Sequence, residues 1–500
     1  MDAAPMKHLL VLSVAMLLPS TASAEVRLPA VIAEGMVLQR NAPLRFWGWA
    51  DDGESVTVEF LGQKRSVTAT RGMWEVTLKP VRTAGGPFRL VISGTNRIEF
   101  TDILVGEVWL LSGQSNMEWS LKNSFEPDAA IASSANPNIR LFMVRNSRSD
   151  EPMKDVEVQQ PWAAASPATT AGFSAVGYYF GRSLHATLGV PIGLISADWG
   201  GTPAEAWTPE SRLRGSASLQ SIIDRYAAAR PAHDERLKAW QEASDKAKRD
   251  GTSAPNRPNL WRYSELYNAM IAPLTRFSIR GALWYQGESN TARAMQYRAL
   301  FPAMIEAWRD AWGIKDFPFL LVQLAPFQGS GSDKLEYAEL REAQDLATRR
   351  LKNVGMAVIT DVGEEKDIHP RKKQPVGERL ALQARKLAYG ERNLLASGPT
   401  LTAVRFEGAK AVLTFDHVGA GLVTAPAIGG GQLVGFTVAG DDGVFTAANA
   451  VIEGRNRVVV SAATVARPTA VRYGFANYSV VNLWNTEGLP AAPFRTDMPR

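Results

Sequence analysis

Ser115 is the residue of this chain best placed for nucleophilic chemistry. It lies in Leu110–Trp119, LLSGQSNMEW, directly after the apolar run Ile103–Leu111. That run predicts a buried strand, and Gly113 permits a tight turn presenting Ser115 at the strand's carboxyl end, where open α/β sheets bind their ligands. A free hydroxyl is a poor nucleophile and needs a base, usually histidine. Of the five histidines, His8 lies in the N-terminal leader, His185 in a helical pattern, His233 in a charged stretch and His417 in a C-terminal β region. His369 follows the strand candidate Met356–Thr360 through the loop Asp361–Pro370, and a helix opens soon after. This puts it on the same rim as Ser115. Asp367, two residues earlier, is near enough in the chain to orient the imidazole and stabilise its charged form.

Two further turns complete a pattern. The strand candidate Ile192–Ala197 runs into Asp198-Trp199-Gly200-Gly201-Thr202-Pro203, where paired glycines let backbone amides approach a ligand. Gly281–Tyr285 runs into Gln286-Gly287-Glu288-Ser289-Asn290. Both turns are candidate sources of donors to a developing oxyanion, an interaction worth ~3–4 kcal/mol per donor. Trp109, Trp119, Trp199, Trp207, Trp284 and Tyr285 surround these motifs. Large aromatics mostly serve the core, so one or two at most are expected to touch a ligand. Arg371 and Lys373, just past His369, are placed either to attract an anionic substrate or to sit at a solvated helix start.

The elements that must position these groups fall into three stretches. From residue 25 to 102, short β-type runs (Val37–Leu38, Leu44–Trp49, Ser55–Phe60, Met73–Leu78, Phe88–Ile92, Ile98–Phe100) alternate with turn signals and predict a small β domain. Residues 103–396 alternate strand and helix patterns, with helices expected at Gly172–Leu188, Tyr297–Trp312, Leu335–Leu351 and Val376–Tyr389. This predicts a mostly parallel sheet covered by helices on both faces. Residues 211–259 are helical and charged, then rich in Gly, Pro and Asn, and read as an excursion from that frame. Residues 397–500 return to β patterns and predict a second β region.

Composition narrows the function. A formal charge of +5 comes from scattered basic residues, not a stripe, which argues against a nucleic-acid partner. There is no cysteine, which excludes thiol nucleophiles and thiolate metal sites. No metal-ligand spacing and no cofactor motif is present. Residues 1–24 have a short basic start, an apolar run from Leu9 to Leu18 and an Ala-Ser-Ala ending, the pattern of a secretory signal cleaved after Ala24. Export to a bacterial periplasm or the outside is therefore expected, and no later stretch is long enough for a membrane span. Nothing in the sequence bears on oligomeric state.

These residues carry a resemblance. Gly113-Gln114-Ser115-Asn116-Met117-Glu118, Trp199-Gly200-Gly201-Thr202-Pro203, Trp284-Tyr285-Gln286-Gly287-Glu288-Ser289-Asn290 and Asp367-Ile368-His369-Pro370 stand in the order found in the sialate O-acetylesterase family, within the wider SGNH hydrolase group. Met36-Val37-Leu38-Gln39-Arg40 extends the likeness into the N-terminal β domain. The resemblance implies a three-layer, flavodoxin-like hydrolase domain flanked by β-sandwich-like regions. It also implies a Ser-His-Asp acyl-enzyme mechanism without cofactor, acting on an O-acetylated sugar. Ser115 would be the nucleophile, His369 the base and Asp367 the acid, with oxyanion donors from the amides of Ser115 and of Gly200 or Gly201. The group's usual Asp-x-x-His is here Asp-x-His, which leaves Glu288 or Asp361 as alternative acids. Its usual Gly-x-Asn-Asp turn is here Gly-Glu-Ser-Asn, which leaves Gln286 or Asn290 as the side-chain donor. Acetylated plant polysaccharide, such as xylan, is an alternative substrate, and a non-catalytic carbohydrate-binding protein is the reading from another class.

Overall fold

The computed structural model describes residues 25–329, 335–425 and 431–497. The expected signal, residues 1–24, lies outside the described residues. The chain enters through β1 (Val37–Gln39), β2 (Leu44–Gly48), β3 (Ser55–Phe60), β4 (Gln63–Thr68), β5 (Trp74–Leu78) and β6 (Gly85–Ser93), all near the expected runs except β4. That strand is polar and largely exposed, an edge partner of β3 with no apolar alternation to reveal it.

The seventh strand, β7 (Arg97–Gly113), is 17 residues long. Its first part pairs antiparallel with β6 and parallel with β1, and its last part is the centre of the main sheet. The expected domain boundary at residues 102 and 103 thus falls inside one strand. The sequence hides this because Ile98–Phe100 and Ile103–Leu111 look like two runs separated by the polar Thr101-Asp102.

The remaining strands of the main sheet are β8 (Asn136–Val144), β9 (Val158–Ala165), β10 (Ile192–Asp198), β11 (Gly281–Tyr285), β12 (Phe319–Val322) and β13 (Val354–Ala357). Their order is β13-β12-β11-β7-β10-β8-β9. Every pair from β13 to β8 is parallel, and β9 closes the edge antiparallel to β8. Side-chain alternation along β7 sends Val108 and Leu110 to one face and Trp109 and Leu111 to the other. Helices Ala294–Trp312 and Glu336–Arg350 cover the first face, and Ala175–Leu188 and Gln374–Ala388 the second. The fold is therefore mixed α/β with a largely parallel central sheet and additional antiparallel sheets.

The core on the first face runs on into the N-terminal strands, where Phe46, Val58 and Leu90 join it. Residues 400–425 and 431–495 form further antiparallel sheets around a core of their own, including Leu413, Val438, Val460 and Tyr473. Between β10 and β11 the chain leaves the frame in a 34-residue helix, Ala217–Asp250. Leu219, Ile222 and Ile223 bury its first two turns on the core, and the charged remainder is mostly exposed.

Candidate active site

The carboxyl ends of β7, β10, β11 and the loop after β13 converge. Gly113 ends β7 with φ +141°, and a Cβ there would lie 2.2 Å from the Tyr285 carbonyl oxygen of β11. Only glycine lets the strands stay paired while the chain turns out to Ser115. Ser115 opens the four-residue helix Ser115–Glu118. His369 arrives from the loop after β13, and its Nε2 lies 2.8 Å from Ser115 Oγ. Trp119 stacks on the imidazole with ring centroids 5.0 Å apart and planes 17° off parallel, which fixes the ring's tilt.

The expected acids are placed differently from one another. Asp367 is exposed; its Oδ1 accepts the His369 backbone N–H at 2.8 Å and stands 3.8 Å from His369 Nδ1, beyond hydrogen-bond length. Asp361 is not available: Arg379 donates to both its oxygens, at 2.6 and 2.8 Å. Glu288 accepts from Asn116 Nδ2 at 2.6 Å and makes no hydrogen bond to the imidazole. Burial pushes its carboxyl above the usual range.

Gln286 and Asn290, the expected oxyanion donors, face inward. Gln286 Nε2 donates to Thr202 O at 3.1 Å and to Asn290 Oδ1 at 2.7 Å, and Asn290 Nδ2 donates to Glu205 Oε2 at 2.8 Å. Asn290 Oδ1 also accepts the Ala204 amide at 2.9 Å. Both side chains are buried, so their amides must be satisfied within the protein, and they lace the turn after β10 to the turn after β11. Gln114 ties the first motif to the third, its Oε1 accepting the Gly287 and Ser289 amides at 3.3 Å each. Gly200 packs on Ser115, since a Cβ there would lie 3.2 Å from Ser115 Cβ. Its amide donates to Glu118 Oε2 at 2.7 Å, and the exposed Gly201 follows with φ +72°.

Asn116 was missed from the sequence and is the joint of the site. Besides Glu288, its Nδ2 donates to Ile368 O at 3.0 Å, clamping the histidine loop to the serine turn. Its Oδ1 accepts from Lys373 Nζ at 2.5 Å. Lys373 is 1% exposed, which corrects the expectation that it meets substrate or solvent. Desolvation lowers its ammonium to about 7. Burial first, and then the Lys373 charge, hold the His369 imidazole below its usual 6.5. Arg371, by contrast, is exposed and lies 3.9 Å from Glu364. Trp109, Trp207, Trp284 and Tyr285 are fully buried, leaving Trp119 and Trp199 as the accessible aromatics of the expected set.

A serine hydroxyl on an imidazole, with a glycine amide holding an anionic oxygen beside them, is the equipment of an ester hydrolase. Comparison with known proteins is consistent. The family model described as carbohydrate esterase, sialic acid-specific acetylesterase, matches residues 105–251 and 250–386. Sialate O-acetylesterase of Homo sapiens is 32% identical over 428 residues, covering 78% of this chain and 76% of the relative. That of Mus musculus is also 32% identical, over 78% and 79%. A crystal structure of a carbohydrate acetylesterase from Xanthomonas citri is 40% identical, with TM-score 0.81, over 94% of this chain and 99% of that one. The chain belongs to the sialic acid-specific acetylesterase family of carbohydrate esterases and is an esterase acting on O-acetyl esters.

Proposed function

We propose that the protein removes O-acetyl groups from sugars through an acyl-enzyme on Ser115, with O-acetylated sialic acid as the substrate. The observation that carries this reading is the 2.8 Å contact of Ser115 Oγ with His369 Nε2 at the carboxyl ends of parallel strands. His369 takes the hydroxyl proton as Ser115 attacks the acetyl carbonyl, then returns it to the departing sugar oxygen. Water repeats the sequence, releasing acetate and freeing the serine. Asp367 is the acid of this scheme: from 3.8 Å it supports the imidazolium by charge, and a small rotation brings it to Nδ1. The amides of Ser115 and Gly200 bind the tetrahedral oxyanion. In the free protein Glu118 Oε2 rests on the Gly200 amide, marking it as a position where a negative oxygen is stable, and substrate displaces it.

The central domain is of SGNH type in this reading, supported by the strand order and by the catalytic groups at strand ends. The N-terminal signal pattern supports export to the periplasm or beyond. Sialate is favoured over plant polysaccharide because the family model and curated relatives carry that specificity in their descriptions. Among the described residues no helix is long and apolar enough to cross a membrane.

The test is acetate release by the mature protein from O-acetylated sialic acid and acetylated xylan, side by side. Ser115→Ala is expected to lose at least about 10³-fold in turnover while remaining folded. Retained acetate release by that variant, or no labelling of Ser115 by a serine-reactive phosphonate, removes the acyl-enzyme. Release from xylan alone replaces the substrate.

A further inference from the structure

The excursion between β10 and β11 leaves and rejoins the frame beside the reacting groups, because the turns at its two ends are the second and third motifs. Between them lies a cavity of about 390 Å³. Gly201 and Ser289 form its inner edge, each one residue from a group of the active site. Gly200, which packs directly on Ser115, precedes the cavity-lining Gly201 in the chain, so the cavity begins one residue from the glycine that touches the serine. Its volume lies in the range of sites that enclose small ligands.

The outer wall belongs to the excursion. Tyr226 comes from the long helix and packs edge-on against Tyr263 of the returning strand of chain, with centroids 5.6 Å apart. Trp261 also lines the cavity. Its ring is held by Trp199, edge-on at 5.1 Å, and by the Arg148 guanidinium 3.8 Å from its centroid. At the base Glu205, 6% exposed, accepts from Arg225 at 3.0 Å and from Arg293 at 3.3 Å. Aromatic rings lining a cavity with a hydrogen-bonding base suit a sugar ring, which offers apolar C–H faces and a polar rim. A long acyl chain would strip water from these ion-paired groups and offer them no hydrogen bond in return, so the cavity fits the alcohol side of the ester.

We propose that this cavity is the subsite for the sugar bearing the acetyl group, and that Trp261 and Tyr226 of the excursion are specificity-determining residues. The excursion thereby becomes a selector of leaving groups, while the sheet supplies the chemistry. This rests on the sugar-esterase reading above.

The measurement is the ratio of kcat/KM for an acetylated sugar to kcat/KM for 4-nitrophenyl acetate, whose leaving group is no sugar. It is taken on the full mature chain with O-acetylated sialic acid and with acetylated xylo-oligosaccharide, using the better of the two. Trp261→Ala is expected to lower the ratio about tenfold or more, through KM, as loss of one stacking plane of about 1.4 kcal/mol implies. Tyr226→Ala, remote from the Arg148 contact, is expected to lower it in the same direction. A smaller fall in both folded variants overturns the subsite. If the wild-type protein cleaves nitrophenyl acetate but neither sugar ester, the sugar-esterase reading falls first, a separate outcome from an unchanged ratio.

Discussion

At the scale of single residues, the site is a compromise between burial and charge. Lys373, Asn116 and Glu288 form a hydrogen-bonded chain from cation through amide to carboxyl, with Asn116 next to Ser115 in the chain. A buried lysine is costly when charged, which is why its ammonium sits at about 7. Its charge also disfavours protonation of His369, whose own burial acts in the same direction. In the proposed mechanism His369 must be neutral to accept the serine proton. Activity is therefore expected to rise with pH through a midpoint below 6.5 and to stay level above it. Lys373→Met removes one of the two influences that lower the imidazole, so the midpoint is expected to move upward in a pH profile of kcat/KM. A midpoint that stays put or moves down removes Lys373 from the electrostatics of the site. The meeting of Ser115 and His369 was legible in the sequence because few histidines compete for a place on the rim at the strand ends. The partners of Gln286, Asn290 and Asp361 were not: an amide or carboxylate at a strand end reads alike whether it faces substrate or a buried arginine. Only the tertiary neighbours, Arg379 for Asp361 and Glu205 for Asn290, decide it.

At the scale of elements, position comes from strand ends and the turns that follow them. The β7–β11 pairing runs to Gly113 and Tyr285, which belong to the first and third motifs themselves. Gly113→Ala places a methyl 2.2 Å from a backbone oxygen at a φ that side chains avoid. A loss of about 3 kcal/mol or more in unfolding free energy is expected, read from urea denaturation, together with a fall in kcat as Ser115 is displaced. An unchanged midpoint would mean that the strand end relaxes freely. The core strands and helices were legible because their apolar periods are long and uninterrupted. β4 and β9 escaped for the opposite reason. Each is an edge strand, and β9, Val-Gln-Gln-Pro-Trp-Ala-Ala-Ala, carries a proline and small residues that give no clear alternation.

At the scale of the whole molecule, the C-terminal sheets have their own core but share polar contacts with the α/β frame. Arg341, buried on the helix Glu336–Arg350, donates to the carbonyls of Ala476 and Asn477. Glu342, beside it, accepts from Arg495 at 2.7 and 2.9 Å and from Arg298. Arg341→Met takes the arginine's donors from the Ala476 and Asn477 carbonyls, of which the second keeps the Phe327 amide at 3.1 Å, and is expected to cost about 1–3 kcal/mol. Because the C-terminal core is separate, the loss is expected to split urea denaturation into two transitions; a single unshifted transition would show that Arg341 does not couple the two regions. The β character of both termini was readable from strand spacing, whereas their attachment was not, since it depends on arginines that look like surface residues in the sequence.

The long strand β7 makes the N-terminal sheet something other than an accessory. At about 3.3 Å per residue its 17 residues form one beam of roughly 55 Å. One end is clamped among β1 and β6, and Ser115 projects just beyond the other, like a tool at the tip of a cantilever. Trimming the chain at residue 103 would cut through that beam and bare Ile103, Leu104 and Val105, all buried in the intact protein. The N-terminal sheet is thus the fixed mounting of the turn that carries Ser115, and exchanging it as a cassette would re-aim the site.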